Sequence, residues 1–467
     1  MKSFIFIFSL FFISGLFQSC APTLPNIEQI GKRRFQNKIS SLITTSDIRA
    51  QIGIEIRSLR TNKTYYGLNK DQLLTPASNM KILTSASALH FLGPHFQFQT
   101  SISQNGQNLW LVGGGDPDLS LKDLDSLADL VSQKMVTVDT LFLDASKFDD
   151  FQYGKGWMWD EGSWEYSAPI GALNANQNCV EFIYQPGKTG EPVRIQTSPQ
   201  TDYIHIKNES ITVNDTIDFE PFSIERDWVN QTNSFLISGE LLQYTSKDTV
   251  TRNITNPTQF TGTIFKEMLE SKGVKVHQLF TGKHPSLTPT FTHDSDSLFR
   301  LIQDTMHDSD NLTAEILVKT MGAAESRSAA WGMGIDSMKS LLATHVNIDT
   351  SALKIADGSG LSRYNLLSPS QIVDVLAGMF YHEQGECFIK SFPVGGAKES
   401  TLEYRLKNTN GNILAKTGSI SGVSTLSGYA FSPKYGPLAF SIMMNGFVGS
   451  SYPYRKLQDQ ICQWLVN

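Results

Sequence analysis

Short runs of alternating apolar and polar residues stand at both ends of this chain, and they constrain its fold more than any other feature. Within 49–57, Ile52, Ile54 and Ile56 occupy every second position, the period of a half-buried strand. A polar turn follows, then Thr64, Tyr65, Tyr66, Gly67 and Leu68, which together predict a β-hairpin. Near the other end, 412–423, 425–431 and 437–447 read as three more strands separated by Gly, Ser and Pro. Connections that short favour antiparallel pairing. The chain closes on 454–466, where Leu457, Ile461, Trp464 and Leu465 share one helical face. Terminal strands joined in one antiparallel sheet, with helices against it, define an α+β fold.

A chain of 467 residues is too long for one ordinary core. The segment 96–256 is rich in Gly, Asn and Thr and carries short alternating runs, such as Tyr203 to Lys207 and Ser210 to Val213. It reads as a β-rich insertion of one or two small domains. Helical periodicity resumes at 260–269 and continues through 312–321, which assigns both to the helical part of the main domain. The expected division is an export signal at 1–20, the main domain at 21–95 and 257–467, and the insertion at 96–256.

Met1 and Lys2 form a short basic start, 4–17 is almost wholly apolar, and Ser19, Cys20 and Ala21 end the run with small residues. That is the layout of an export signal, and at about 14 residues its apolar run is shorter than the roughly 20 that span a bilayer. Cys20 resembles the lipid-modified cysteine of bacterial lipoproteins, so the membrane enters only through a lipid anchor there, with simple cleavage as the alternative. Apart from Cys20, three cysteines remain, Cys179, Cys387 and Cys462, enough for at most one disulfide. A net charge of -6 without a Lys/Arg-rich run excludes the electrostatic footprint of a nucleic-acid binder.

The segment Thr75-Pro-Ala-Ser78-Asn-Met-Lys81 precedes an apolar helical run. Thr75 reads as an N-cap and Pro76 as the first helical residue, which puts Ser78 in the first turn. A backbone N–H there points at a developing oxyanion, and Lys81, three residues on, stands on the same face. Its amine takes the Ser78 proton if burial or a nearby cation lowers a pKa that is ordinarily about 10.4. A lone Ser-x-x-Lys is weak, and Ser351 to Lys354 repeats it. What distinguishes Ser78 is its company downstream, Ser309-Asp310-Asn311 and Lys416-Thr417-Gly418. Lys188-Thr-Gly190 and Ser103-Gln-Asn105 repeat those patterns too, but Lys188 sits in a Gly/Pro turn, whereas Lys416 follows a strand-like Ile413 to Ala415. The nine histidines are scattered without a metal-ligating pattern, and Gly113 to Gly115 lacks the Lys-Ser/Thr of a phosphate loop, so neither metal nor cofactor is called for.

Three motifs of these types in this order resemble the serine penicillin-binding proteins and β-lactamases. The chain is most similar to the class C low-molecular-mass penicillin-binding proteins, D-alanyl-D-alanine carboxypeptidases/endopeptidases of peptidase family S13. Further matches are Leu111 to Asp118, Tyr166 to Leu173, Ser309 to Glu315 and Asp357 to Arg363. The resemblance implies a transpeptidase-like domain with its insertion, peptidoglycan stem peptides as substrates and β-lactams as inhibitors. Ser78 would attack a D-Ala carbonyl with Lys81 as base, and the N–H groups of Ser78 and Ser419 would hold the oxyanion. Ser309 would relay a proton to the leaving amine, Asn311 would orient substrate and Lys81, and Lys416 with Thr417 would hold the substrate carboxylate. Gly418 would let backbone approach the ligand closely. In relatives an acidic residue of the insertion meets the free amine of a diaminopimelyl side chain, and Asp160 is the candidate. Asp310 and Glu315 read as surface or helix-stabilising residues.

Two other readings stay open. A β-lactamase shares the motifs, but no Glu occurs from 330 to 382 to deacylate as class A enzymes do. A non-catalytic peptidoglycan-binding protein would have no chemical reason to keep Ser78, Lys81, Ser309, Asn311 and Lys416 together.

Overall fold

A computed structural model describes residues 27–216, 218–323 and 328–467. The export signal and Cys20 lie outside them.

The terminal strands do meet. Gln51–Ser58 pairs antiparallel with Gly436–Asn445 on one side and Thr64–Leu68 on the other, giving a five-stranded sheet completed by Val423–Ser432 and, at its edge, Ile413–Ile420. Helices cover both faces. Met80–Leu92, Asn311–Ala323 and Pro369–Phe380 bury Leu83, Ile316 and Leu376 on one side, while Ile27–Thr44 and Tyr452–Val466 bury Phe35, Leu457 and Ile461 on the other. Val423–Ser432 is consequently buried along nearly its whole length, as expected of a strand covered twice. Tyr429 is sealed in this core and donates its hydroxyl to the Leu376 carbonyl at 2.7 Å, where an unpaired hydroxyl would cost about 1–3 kcal/mol.

A second body has its own core and a mixed sheet ordered Lys275–Thr281, Thr137–Asp144, Asn108–Val112, Gln99–Asn105, Phe291–Asp294. Smaller sheets from Cys179–Gln185 to Asp248–Asn253 join it. Its extent corrects one expectation. Helix Pro257–Ser271, assigned above to the main domain, buries Phe260, Ile264, Phe265 and Leu269 in this second core beside Leu141 and Leu143. The insertion thus runs on to the strand ending at Asp294. An apolar stripe shows that a helix is covered and does not identify the covering sheet. Helix Leu121–Ser132 was also unforeseen, although Ser120 and Asp123 close a capping box at its start. The three cysteines, Cys179, Cys387 and Cys462, are free thiols. No helix among the described residues is long and apolar enough to cross a membrane.

Candidate active site

Ser78 lies in a single 3-10 turn, Ala77–Asn79, that leads into helix Met80–Leu92. This corrects the expected cap: Pro76 precedes the turn without any side-chain cap, and the Thr75 carbonyl accepts from Asn445 Nδ2 at 3.1 Å. Four side-chain bonds pin the turn to the sheet. Besides that one, Thr425 Oγ1 donates to the Pro76 carbonyl at 2.9 Å, Asn79 Nδ2 to the Lys416 carbonyl at 2.8 Å, and Ser427 Oγ to Asn79 Oδ1 at 2.6 Å. So anchored, Ala77 holds a φ of 45°, a left-handed conformation costly for a residue with a Cβ. Glycines supply the clearance around it. A Cβ on Gly360, itself at φ 87°, would strike the Ala77 carbonyl. One on Gly418 would press on Thr425 Oγ1, the Pro76 carbonyl and the Ser78 N–H.

Lys81 is fully buried one helical turn from Ser78. Its Nζ lies 3.2 Å from Ser78 Oγ and donates to Asn311 Oδ1 at 2.6 Å and to the Ser359 carbonyl at 2.8 Å. Burial lowers its pKa from the ordinary 10.5 to about 8, against the opposing charges of Asp310, Glu315 and Asp357. Lys416 is equally buried, on the edge strand Ile413–Ile420, and donates to the Thr417 carbonyl at 3.1 Å. Burial, and then the charge of Lys81, pushes its pKa well below the usual lysine range. Two desolvated amines thus lie within electrostatic reach of each other.

Ser309 ends helix Leu298–Asp308 with a φ of 67°, and Asn311 opens Asn311–Ala323. Asp310 between them accepts from the N–H groups of Leu312 and Thr313 at 2.9 and 3.1 Å, which stabilises the helix start. Asn311 is gripped from both ends, since its Nδ2 donates to the Tyr166 carbonyl of the insertion at 2.8 Å. A cavity of about 630 Å³ opens over these groups, and Ser78, Asp160, Ser309, Asn311 and Ser419 all contribute to its wall. Lys81, Lys416, Thr417 and Gly418 are not wall residues; Lys81 bonds to two that are, Ser78 and Asn311, and 416–418 lead directly into a third, Ser419. The competing motif copies are elsewhere: Ser351, Lys354 and Lys188 are exposed, and Ser103 is buried in the second sheet.

Glu315 is not a surface residue. It is fully buried and accepts from the backbone N–H groups of Gly358 and Ser359 at 2.9 and 2.7 Å and from Trp331 Nε1 at 2.7 Å. Burial raises its pKa to about 7. Its effect is to hold the turn whose Ser359 carbonyl receives Lys81. Asp357 braces the same turn through Gly360 N–H at 2.9 Å, Ser362 N–H at 2.6 Å and Trp157 Nε1 at 3.0 Å. The sequence carried a signal for this turn in Asp357-Gly-Ser-Gly360, but nothing in it linked that turn to Lys81. Asn79, inside the first motif, likewise carries no sequence signal of its bond to the Lys416 carbonyl.

A hydroxyl with a desolvated amine 3.2 Å away, and a second buried lysine on the adjoining edge strand, are the parts an acyl transfer needs. The family described as D-Ala-D-Ala carboxypeptidase 3 (S13) matches residues 35–467. A D-alanyl-D-alanine carboxypeptidase of Actinomadura sp. (strain R39) is 31% identical over 429 residues, covering 85% of this chain and 78% of the relative. Among solved structures, penicillin binding protein 4 (dacB) from Haemophilus influenzae superposes with a TM-score of 0.81 at 24% identity, over 91% of this chain and 99% of that one. The same protein, complexed with a β-lactam, superposes with a TM-score of 0.75 at 22% identity, over 92% and 100%. This chain belongs to the D-Ala-D-Ala carboxypeptidase 3 (S13) family, and with it to the serine-type D-Ala-D-Ala carboxypeptidases.

Proposed function

We propose that the enzyme cleaves D-Ala-D-Ala termini and related D-amino-acid bonds of peptidoglycan stem peptides through an acyl-enzyme on Ser78. Lys81, as the neutral amine, takes the Ser78 proton while Oγ adds to the carbonyl carbon of the penultimate D-Ala. The oxyanion forms between the N–H groups of Ser78 and Ser419. Collapse of the adduct breaks the C–N bond, and Ser309 passes the proton to the departing amine. Water then releases the peptide by the same route. Asn311 orients the substrate amide and Lys81, and Lys416 with Thr417 draws in the substrate carboxylate. The observation that carries the reading is the 3.2 Å approach of a fully buried Lys81 amine to Ser78 Oγ.

β-Lactams present the same carbonyl and acylate the same serine. Endopeptidase action on cross-links needs no further group, because only the leaving amine differs. Asp160, exposed on the cavity wall, receives the free amine of a diaminopimelyl side chain. The chain works after export, held to a membrane by lipid on Cys20. D-Alanine release from a stem pentapeptide tests the proposal: wild type liberates it and Ser78→Ala does not. Release by Ser78→Ala at the wild-type rate would overturn it, and sustained nitrocefin hydrolysis would favour a β-lactamase.

A further inference from the structure

Beside the active-site cavity lies another of about 260 Å³ that no step of the proposed reaction uses. Tyr153, Trp159 and Trp228 give it aromatic walls, and Glu161, Arg226 and Gln231 give it polar ones. The two cavities adjoin, since Met158 and Glu161 contribute to both.

Trp159 is 79% exposed, and its ring meets that of Trp228 with centroids 5.2 Å apart and planes at 44°. This makes an angled aromatic pair open to water. The guanidinium on the polar side is fixed in place. Arg226 is 5% exposed, donates from Nε and Nη2 to Asn253 Oδ1 at 3.2 and 2.9 Å, and donates from Nη1 to the Thr232 carbonyl at 3.0 Å.

Ring faces bordered by preset donors and acceptors suit a ligand that is apolar on its faces and polar around its edge. A pyranose has that build: its C–H face stacks on an indole while its rim hydroxyls pair with a carboxylate, an amide and a guanidinium. An apolar side chain would have no use for the polar groups. A bilayer would call for a broad apolar face flanked by cations, and the half-buried Glu161 carboxylate on this wall, with the exposed Asp160 next to it in the chain, repels anionic headgroups.

We infer that this cavity is a saccharide subsite that binds a sugar ring of the glycan strand bearing the stem peptide. The inference rests on the proposed function, because a stem peptide in the first cavity brings its glycan with it. Binding the strand here raises the local concentration of D-Ala ends at Ser78.

Ligand-observed NMR titration of the full chain with the peptide-free disaccharide of N-acetylglucosamine and N-acetylmuramic acid tests the site without any catalysis. Saturable binding is expected, weakened about fivefold to tenfold by Trp159→Ala, and largely kept by Trp159→Phe, which retains a ring face. An unchanged thermal midpoint shows that the variants fold. Absence of saturable binding to wild type, or equal binding by Trp159→Ala, overturns the inference. In turnover, a stem peptide carried on the disaccharide has a lower KM than the free peptide, and Trp159→Ala removes the difference. Equal KM values in wild type also overturn it. Should neither substrate release D-alanine, the hydrolase reading fails, and the titration still decides the subsite alone.

Discussion

Acylation of Ser78 should follow the proton on Lys81, and the structure sets where. Lowering the Lys81 pKa from the ordinary 10.5 to about 8 favours the neutral amine by about 3 kcal/mol. At pH 7 the neutral fraction becomes about one in eleven, where an unperturbed lysine would give about three in ten thousand. The second-order rate of acylation by penicillin, followed in stopped flow with a fluorescent analogue, should therefore rise about tenfold between pH 7 and pH 9 and then level. Asp310→Asn supplies the sharper perturbation. Among the charges that raise the Lys81 pKa, Asp310 contributes most, so its removal must move the midpoint to lower pH. Asparagine keeps an acceptor for the cap, so helix Asn311–Ala323 should survive. The variant should acylate faster than wild type at pH 7 and match it on the plateau. A flat profile across this range, or a midpoint moved upward by Asp310→Asn, would refute Lys81 as the base.

Three further outcomes follow from the same geometry. Gly418→Ala sets a methyl against the Ser78 N–H and the Pro76 carbonyl, and a misplacement of that order should slow acylation about a hundredfold; a rate within a few-fold of wild type would show that the strand yields. Glu315→Ala strands the buried N–H groups of Gly358, Ser359 and Trp331 and should cost about 3–5 kcal/mol of stability, seen as a clear drop in thermal midpoint; an unchanged midpoint would show that this turn holds itself. Asp160→Ala should lower turnover on diaminopimelate-containing peptides while affecting penicillin acylation far less, and equal loss in both assays would remove its assigned role.

Much of this was legible in the sequence because it depends on local pattern. Isoleucines at every second position announced Gln51–Ser58, and the strands near the other end were recognisable between their Gly, Ser and Pro breaks. The order of the three polar motifs selected Ser78, Ser309 and Lys416 over their exposed or misplaced copies. What escaped depended on which surfaces meet. The stripe of Phe260, Ile264 and Leu269 is the same whichever sheet covers it. Glu315 looks like any helical glutamate until Gly358, Ser359 and Trp331 close over it. The 3-10 turn at Ser78 and the left-handed Ala77 arise from side chains of Asn79, Thr425 and Asn445, whose partners lie more than 300 residues away along the chain. Their side chains gave no local sign of it.

The central claim is that Ser78 alone becomes covalently loaded. Intact-mass measurement after brief exposure to benzylpenicillin, followed by peptide mapping, reads this directly. One penicilloyl adduct per chain, mapped to the peptide containing Ser78 and missing from Ser78→Ala, is the predicted result. An adduct on any other residue, or one that persists in Ser78→Ala, would contradict the account.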